Sequence, residues 1–268
     1  MQGNRVRVRR DHPSALSWTI ALVMTMLAVY LATLGGGGQK GSSASIETDA
    51  DTPRVTEEIS LEGVEAYCVS FGKFATAQEA RIEAARFTSR GAAGYVREED
   101  GFYILGAVYE QESDAKRVAE QISQSEGIEC SVYPLRTGGA RLRVTAGESQ
   151  IALLREAETQ LRSQARIVGE LAFQLDRGEI SSDQARTLLA VCASQISQPL
   201  EALRKIPGAQ ENAICGGLLQ ILESFHASCS LLSMENSATT LSLSGKIKYN
   251  YIEVLFSCAD YLTQLNAM

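Results

Sequence analysis

An internal repeat constrains the fold of this chain more than any other feature of its sequence. A shift of 35 residues lays the segment that begins at Tyr67 onto the segment that begins at Phe102. Matching positions recur through both segments, pairing Val69 with Ile104, Ala80 with Ala115, Ala84 with Ala119 and Phe87 with Ile122. Two similar halves of this kind favour one four-stranded sheet with both helices on one face and the other face open.

Each half of the repeat combines the alternation typical of a strand with the spacing typical of a helix. Tyr67, Val69 and Phe71 alternate with Cys68 and Ser70, which predicts a half-buried strand. Strands are predicted at 67–71, 95–97, 102–108 and 130–135, and helices at 75–90 and 113–125. This βαββαβ order predicts a ferredoxin-like domain over residues 63–136 and places the chain in the α+β class.

The two strand motifs, with the helices that follow them, resemble the SPOR (sporulation-related) domain family. The motifs here are Tyr67-Cys68-Val69-Ser70-Phe71-Gly72-Lys73-Phe74 and Phe102-Tyr103-Ile104-Leu105-Gly106-Ala107-Val108-Tyr109, with Ala80 and Ala115 early in the helices. The family's motifs run roughly aromatic-x-Val-Gln-x-Gly-Ser-Phe and Tyr-Arg-Val-x-x-Gly-Pro-Phe. The resemblance covers residues 64–136. It implies a module that binds peptidoglycan glycan strands stripped of stem peptides and gathers at the division or sporulation septum.

The sequence departs from that family at the positions that would hold the glycan. Ser70 stands in place of a Gln, Lys73 in place of a Ser, and Tyr103 in place of an Arg. If Val69 faces the helices, alternation places Ser70, Tyr103 and Leu105 on the open sheet face. The candidate glycan-binding residues are therefore Ser70, Lys73, Tyr103 and Leu105, with the Tyr103 ring able to stack on a sugar. An ordinary solvated or partner-covered sheet face is the alternative interpretation.

A run of twenty uncharged residues, 15–34, precedes the repeat and has the length of a transmembrane helix. At about 1.5 Å per residue such a helix spans roughly 30 Å, the hydrocarbon thickness of a bilayer. The basic tail at 1–14 predicts a cytoplasmic N-terminus and extracytoplasmic domains after a single pass through the cell membrane. Residues 35–62 are rich in Gly and polar residues and predict a flexible linker. A cleaved signal peptide and a buried core helix are the alternatives for 15–34.

The hydrophobic period changes after a second short linker, predicted at 137–146. Apolar residues at steps of three and four over 151–175 predict an amphipathic helix, and Ser181 resembles the start of a capping box for the next. Two more helices are predicted at 210–234 and 246–266. Four such helices indicate an antiparallel bundle over residues 147–268. We expect a rigid protein-interaction domain, with homodimerisation through the first helix or a ligand-holding bundle as alternatives.

Charge and reactive side chains argue against nucleic-acid binding and against catalysis. The formal net charge of −7 combines +3 over residues 1–14 with −10 from residue 35 onward, without a basic stripe in the sequence. His12 lies in the predicted tail and His226 in the bundle, so neither can complete a triad in the sheet domain. No cofactor or metal is predicted, and His226 with Cys229 is more typical of a packed or surface pair. The six cysteines are expected to be free thiols among apolar neighbours.

The sequence therefore predicts no enzyme and leaves two functions open. In the first, the protein is anchored in the membrane through residues 15–34, binds septal glycan strands and presents the bundle to a protein partner. In the second, glycan binding is lost and the protein is an envelope scaffold that acts only through protein contacts. Because an acidic chain cannot hold an anionic wall polymer by bulk charge, the choice depends on specific contacts at the sheet face.

Overall fold

Six strands and six helices make up residues 53–268, the part of the chain that this computed structural model describes. The strands are β1 (Arg54–Leu61), β2 (Val64–Phe74), β3 (Tyr95–Glu98), β4 (Phe102–Tyr109), β5 (Ser131–Thr137) and β6 (Ala140–Gly147). The helices are α1 (Ala77–Thr88), α2 (Glu112–Glu126), α3 (Glu148–Asp176), α4 (Ser182–Arg204), α5 (Ala213–Met234) and α6 (Thr240–Asn266). The strands form an antiparallel four-stranded sheet, in the order β3-β4-β2-β5, and an antiparallel two-stranded ribbon of β1 and β6.

The four-stranded sheet has the ferredoxin-like connectivity that the repeat predicts. Its elements follow the order β2-α1-β3-β4-α2-β5, and α1 and α2 pack against the same face. Val69 of β2 is buried beside Ala115 of α2, and Ile104 of β4 is buried beside Ala80 of α1. Val69 therefore faces these helices, which is the condition on which the predicted sheet faces depend, and Ile104 faces them as well. The alanines allow the helices to lie close to the strands.

The ribbon continues the two neighbouring strands β2 and β5 beyond the sheet. Leu61 pairs with Ala140 in the ribbon and Val64 pairs with Thr137 in the sheet, and both pairs belong to one continuous antiparallel register. Glycine is needed at the junction, because a Cβ at Gly63 would overlap the carbonyl oxygen of Thr137. The ribbon therefore extends the sheet, and the pairing of β1 with β6 keeps the register in which β2 pairs with β5.

This ribbon corrects both predicted linkers. Residues 54–61, at the end of the predicted linker 35–62, form β1, and most of the predicted linker 137–146 forms β6. Ile59 is buried against the bundle, and Arg155 of α3 donates to the Glu57 carboxylate at 2.7 Å. The polar and glycine-rich composition of these segments predicted flexibility, but their alternating apolar residues are buried between the ribbon and α3.

The helical bundle and the sheet share one hydrophobic core. Helices α3 to α6 form a ring in which each helix packs against the next and α6 packs against α3. Helix α6 also contacts all four strands of the sheet. Cys68 and Leu105 on the sheet are fully buried in the same cluster as Ile247 of α6. The predicted separation into a sheet domain at 63–136 and a bundle at 147–268 is therefore corrected, because the second sheet face and the bundle bury each other.

The predicted fold class is wrong as a whole, although the described part of the chain is α+β. None of the helices within residues 53–268 is long and apolar enough to cross a bilayer. The predicted tail at 1–14, the predicted span at 15–34 and most of the predicted linker at 35–62 lie outside the described residues.

The start of α4 confirms the predicted capping box. Ser181 Oγ accepts the Gln184 backbone N–H at 3.2 Å, and the Gln184 side chain accepts the Ser181 backbone N–H at 2.8 Å. Pro199 lies inside α4 without ending it, since the helix continues to Arg204. Pro199 is buried, so its ring contributes to the core of the bundle.

Candidate functional site

The four predicted site residues do not share an open sheet face. Ser70 and Leu105 have no exposed surface, and α6 lies across the strands that carry them. Tyr103 is half-buried against the same core, and Lys73 is exposed. The expectation of an open face is therefore wrong. The alternative of a solvated or partner-covered face does not describe it either, because the covering element is α6 of the same chain.

A bulge in β2 moves Lys73 away from Ser70. The register with β4 shifts between Val69 and Ser70 and again between Ser70 and Lys73. Gly72, inside this bulge, has a φ of 116°, a conformation that favours glycine. Ser70 Oγ donates to the Gly72 carbonyl at 3.3 Å, and Lys73 pairs in register with Tyr103 at the end of the sheet. Simple alternation along β2 could not anticipate this displacement.

Aromatic side chains on three strands hold α6 against the sheet. Phe256 of α6 is 2% exposed and stacks on Tyr95 of β3, with ring centroids 5.4 Å apart and an interplanar angle of 9°. The same ring lies 6.1 Å from Tyr133 of β5, which in turn lies 5.1 Å from Tyr103 of β4. Phe256 therefore occupies the place on this face where a flat ligand could otherwise stack.

Charged contacts attach α6 near its start and near its end. Arg97 of β3 donates to the two carboxylate oxygens of Asp260 at 2.9 and 3.0 Å, and its guanidinium lies 4.6 Å from the Phe256 ring centroid. Hydrogen bonding to Asp260 raises the pKa of Arg97. Lys248, near the start of α6, donates to the Gly91 carbonyl at 2.8 Å. The covering helix is thus fixed by polar as well as apolar contacts.

Lys73 and Tyr103 remain together at the exposed end of the sheet, where Asp100 joins them. Lys73 Nζ donates to Asp100 Oδ2 at 2.6 Å, and the Tyr103 hydroxyl donates to Asp100 Oδ1 at 2.9 Å. The bond to Lys73 lowers the pKa of Asp100, and the bond to Asp100 raises the pKa of Lys73. Both groups are therefore charged at neutral pH. This Lys73–Asp100–Tyr103 cluster is the part of the predicted site that solvent still reaches.

A groove of about 600 Å³ runs between α2 and β5, on the sheet face away from α6. Val132 and Ala119 lie on its apolar side, and Glu120 and Gln124 of α2 line its wall. Because β5 is the last strand of the sheet, its outer edge has no strand partner in the described part of the chain. The main-chain groups along this edge, interrupted at Pro134, are available to an extended peptide.

One end of this β5–α2 groove is charged. Arg136 Nη2 donates to the Tyr67 hydroxyl at 2.8 Å, while the carboxylates of Glu65 and Glu112 lie 3.5 and 3.7 Å from the guanidinium. Glu112 pairs more closely with Lys116, at 2.7 Å. The loosely paired and exposed Arg136 can therefore form a two-point contact with a carboxylate of a bound peptide.

The side chains of residues 53–268 include no cluster that could bind a metal ion, and their cysteines form no disulfide. No group of three or more His, Cys, Asp or Glu side chains in this part could hold a metal ion. All six cysteines are free thiols, as predicted, and burial raises the pKa of Cys68 and Cys229 to about 12. Cys130 lies in the cluster under α2, on the opposite sheet face from Cys68, and lines the groove.

No family model, curated protein or solved structure matches this chain. The resemblance to the SPOR family therefore stays a prediction from the sequence, as does the septal glycan function that it implies.

Sequence reasoning missed the covering helix although one signal was present. In the helix predicted at 246–266, Tyr251, Leu255 and Leu262 belong to the apolar face expected to pack in the bundle, the bundle seam. Tyr249 and Phe256 lie outside that seam. Those two residues lie seven positions apart and therefore share a second apolar face of the same helix. A helix with two apolar faces must pack against two layers, which here are the bundle and the sheet.

Proposed function

We propose that the protein is a non-catalytic scaffold that works through contacts with other proteins. The observation that carries this proposal is the position of Phe256, which stacks on Tyr95 and fills the sheet face. A glycan strand could reach this face only if α6 left it, and that would expose the apolar core that α6 shares with the bundle. The extracytoplasmic location remains a prediction from the sequence.

The surface that best suits a protein partner is the β5–α2 groove. An extended segment of the partner would add to the outer edge of β5 through main-chain hydrogen bonds and place side chains between β5 and α2. Pro134 removes one donor from that edge and so weakens non-specific strand pairing. Recognition would then depend on side-chain contacts with Glu120, Gln124 and Arg136.

Photo-crosslinking in cells tests this function at defined positions of the full chain. A crosslinking residue in place of Glu120, inside the groove, is expected to form a discrete protein adduct, whereas one at the exposed Glu156 of α3 is not. Gln124→Trp should block the groove and remove the adduct. Gln121→Trp, on the same helix but outside the groove, should leave it unchanged. An adduct that persists in Gln124→Trp would contradict this assignment of the surface.

Glycan binding is the second candidate, and the exposed Lys73–Asp100–Tyr103 cluster favours it. A ring beside paired charges offers stacking and hydrogen bonds to a sugar. The full chain should then sediment with sacculi after amidase treatment and less with untreated sacculi. Tyr103→Ala should abolish this enrichment, and Tyr103→Phe should retain most of it because the ring remains. No enrichment on denuded glycan would exclude this candidate and favour the scaffold.

A further inference from the structure

The helix layer over the sheet contains a cleft. Two separate apolar clusters lie beneath it, one under α1 around Ala84 and Ile104 and one under α2 around Val69 and Ala119. Phe71 borders both clusters. Protein interiors normally fill such gaps, so an unfilled apolar cleft between two helices is a candidate binding pocket.

The cleft forms a pocket of about 230 Å³ with two apolar walls. Phe71 and Phe87 form one wall as a stacked pair, with ring centroids 4.5 Å apart, and Val118 and Ile122 of α2 line the other. All four side chains are only half-buried. Because an apolar cavity of roughly 150 Å³ holds benzene, this pocket has room for a larger ring system such as indole.

Small residues of β4 make this room. A Cβ at Gly106 would overlap the Phe71 ring, so only glycine allows Phe71 to lie across β4 and stack on Phe87. Ala107 follows at the pocket lining, and the Ala93 N–H donates to the Gly106 carbonyl at 2.8 Å. This bond holds the loop after α1 at the rim of the pocket.

Polar groups at the rim come from both halves of the fold. Arg90 pairs with Glu126 at 2.7 Å, and Lys248 of α6 pairs with Asp176 of α3 at 2.6 Å. The Arg90–Glu126 pair is exposed, so replacing the Glu126 carboxylate beside Arg90 by the carboxylate of a ligand costs little free energy. Tyr109 also lines the pocket, and burial raises its pKa to about 12, so its hydroxyl is a donor at neutral pH.

We propose that this pocket binds a small aromatic carboxylate. The ring would lie between the Phe71–Phe87 pair and the α2 wall, and the carboxylate would accept hydrogen bonds from Arg90 and from the Tyr109 hydroxyl. Glu126, displaced from Arg90, would turn to solvent. The site needs the docked bundle, because Lys248 and Asp176 complete its rim. It is separate from the β5–α2 groove and does not depend on the proposed scaffold function.

Calorimetric titration of the full chain with three indole probes tests the proposal. Indole-3-acetate, indole-3-ethanol and tryptamine share the ring and differ in the head group. The acid is expected to bind about tenfold more tightly than the alcohol, because charge-assisted hydrogen bonds are stronger than neutral ones, and the amine is expected to bind least. Equal affinity for all three, tightest binding of the amine, or no saturable binding of the acid would each overturn the proposal.

Two variants locate the binding. Arg90→Gln is expected to remove the preference for the acid while leaving binding of the alcohol unchanged. Val118→Trp should fill the pocket and abolish binding of both, whereas Ile82→Trp, at a position 57% exposed on α1 and outside the pocket, should not. Thermal unfolding of each variant checks its fold. If Val118→Trp does not fold, the binding result for Arg90→Gln decides the test. Unchanged binding of the acid in Arg90→Gln would overturn the proposal.

Discussion

Arg97 and Asp260 lie 163 positions apart and meet in a two-point ion pair, with nitrogen–oxygen distances of 2.9 and 3.0 Å. Arg97 belongs to the second strand of the repeat, and Asp260 belongs to the last helix of the bundle. Arg97 Nε is buried and has no partner in the described part of the chain. The guanidinium therefore depends on Asp260 for its charge pairing, and the pair reports whether the bundle and the sheet are docked.

Removing Asp260 should weaken this docking. We expect Asp260→Ala to lower the free energy of unfolding by about 1–2 kcal/mol, because a partly buried guanidinium loses two charge-assisted hydrogen bonds. Urea denaturation measures the change. Glu83→Ala, which breaks the exposed pair with Arg86 on α1, is the control and should cost less than about 0.5 kcal/mol. Equal losses of unfolding free energy in the two variants would mean that the Arg97–Asp260 pair stabilises the fold no more than a surface ion pair does.

Phe256 tests whether the sheet and the bundle form one cooperative unit. Phe256→Ala should cost about 3–5 kcal/mol, because it leaves a cavity between the helix and the ring of Tyr95. Leu231→Ala, at a position 67% exposed on α5, should change stability by less than about 0.5 kcal/mol. Calorimetry should show a single unfolding transition in the wild type. Two transitions, with only one shifted by Phe256→Ala, would indicate independent domains.

The parts of the fold that follow local rules could be predicted from the sequence. Val69 and Ile104 face the helices because strand side chains alternate, and Ser181 begins α4 because its hydroxyl caps a backbone N–H. The ribbon could not be predicted in this way. The pairing of β1 with β6 joins segments about 80 residues apart, and no local pattern specifies such a long-range register.

The candidate site was predicted incompletely for a related reason. Tyr103 and Lys73 do lie next to each other in the strand register, but the bulge at Gly72 and the covering helix separate them from Ser70 and Leu105. Alternation identifies which residues share a sheet face, but it does not say what covers that face. That information lay in α6, where Phe256 stands outside the bundle seam.

The junction between ribbon and sheet offers a test with a matched pair of glycines. A Cβ at Gly139 would overlap the Leu61 carbonyl oxygen, whereas a Cβ at Gly138 would meet nothing within 4 Å. Gly139→Ala should therefore cost about 1–3 kcal/mol, and Gly138→Ala less than about 0.5 kcal/mol. Chemical denaturation of the two variants measures the difference. Similar stabilities of the two variants would show that the continuous register across the junction does not require Gly139 to lie so close to the Leu61 carbonyl oxygen.

Glu253 should make stability depend on pH in a defined direction. This carboxyl on α6 is half-buried and has no salt bridge in the described residues, and burial raises its pKa above the ordinary value of 4.5. The folded chain then holds the proton more tightly than the unfolded chain does. Stability contributed by this group is present below pH 4.5 and is lost as pH rises through the folded pKa.

Glu253→Gln should therefore be more stable than the wild type at neutral pH. The gain should be less than about 1 kcal/mol, because water screens a half-exposed carboxyl, and it should shrink as pH falls toward 4.5. Melting temperatures over this range measure it. Glu156→Gln, at an exposed position on α3, should show no such trend. A less stable Glu253→Gln at neutral pH would mean that the ionised carboxylate makes a stabilising contact.

Cys130 should report on the β5–α2 groove through its accessibility. Its thiol lines the groove and is half-buried. Burial raises the pKa of Cys130, and it raises the pKa of the more deeply buried Cys68, Cys229 and Cys258 to about 12. Because the thiolate is the reactive form, iodoacetamide at about pH 9 should modify Cys130 first. Mass spectrometry should find one adduct on the native chain and none in Cys130→Ser over the same time.

The groove variants add the control for this labelling. Gln124→Trp should slow the modification of Cys130 because both residues line the groove, and Gln121→Trp should leave the rate unchanged because it lies outside. If a buried cysteine of the bundle were modified before Cys130, the bundle would open more readily than the groove admits the reagent. The shared core of sheet and bundle would then be less stable than the burial of Phe256 and Leu105 implies.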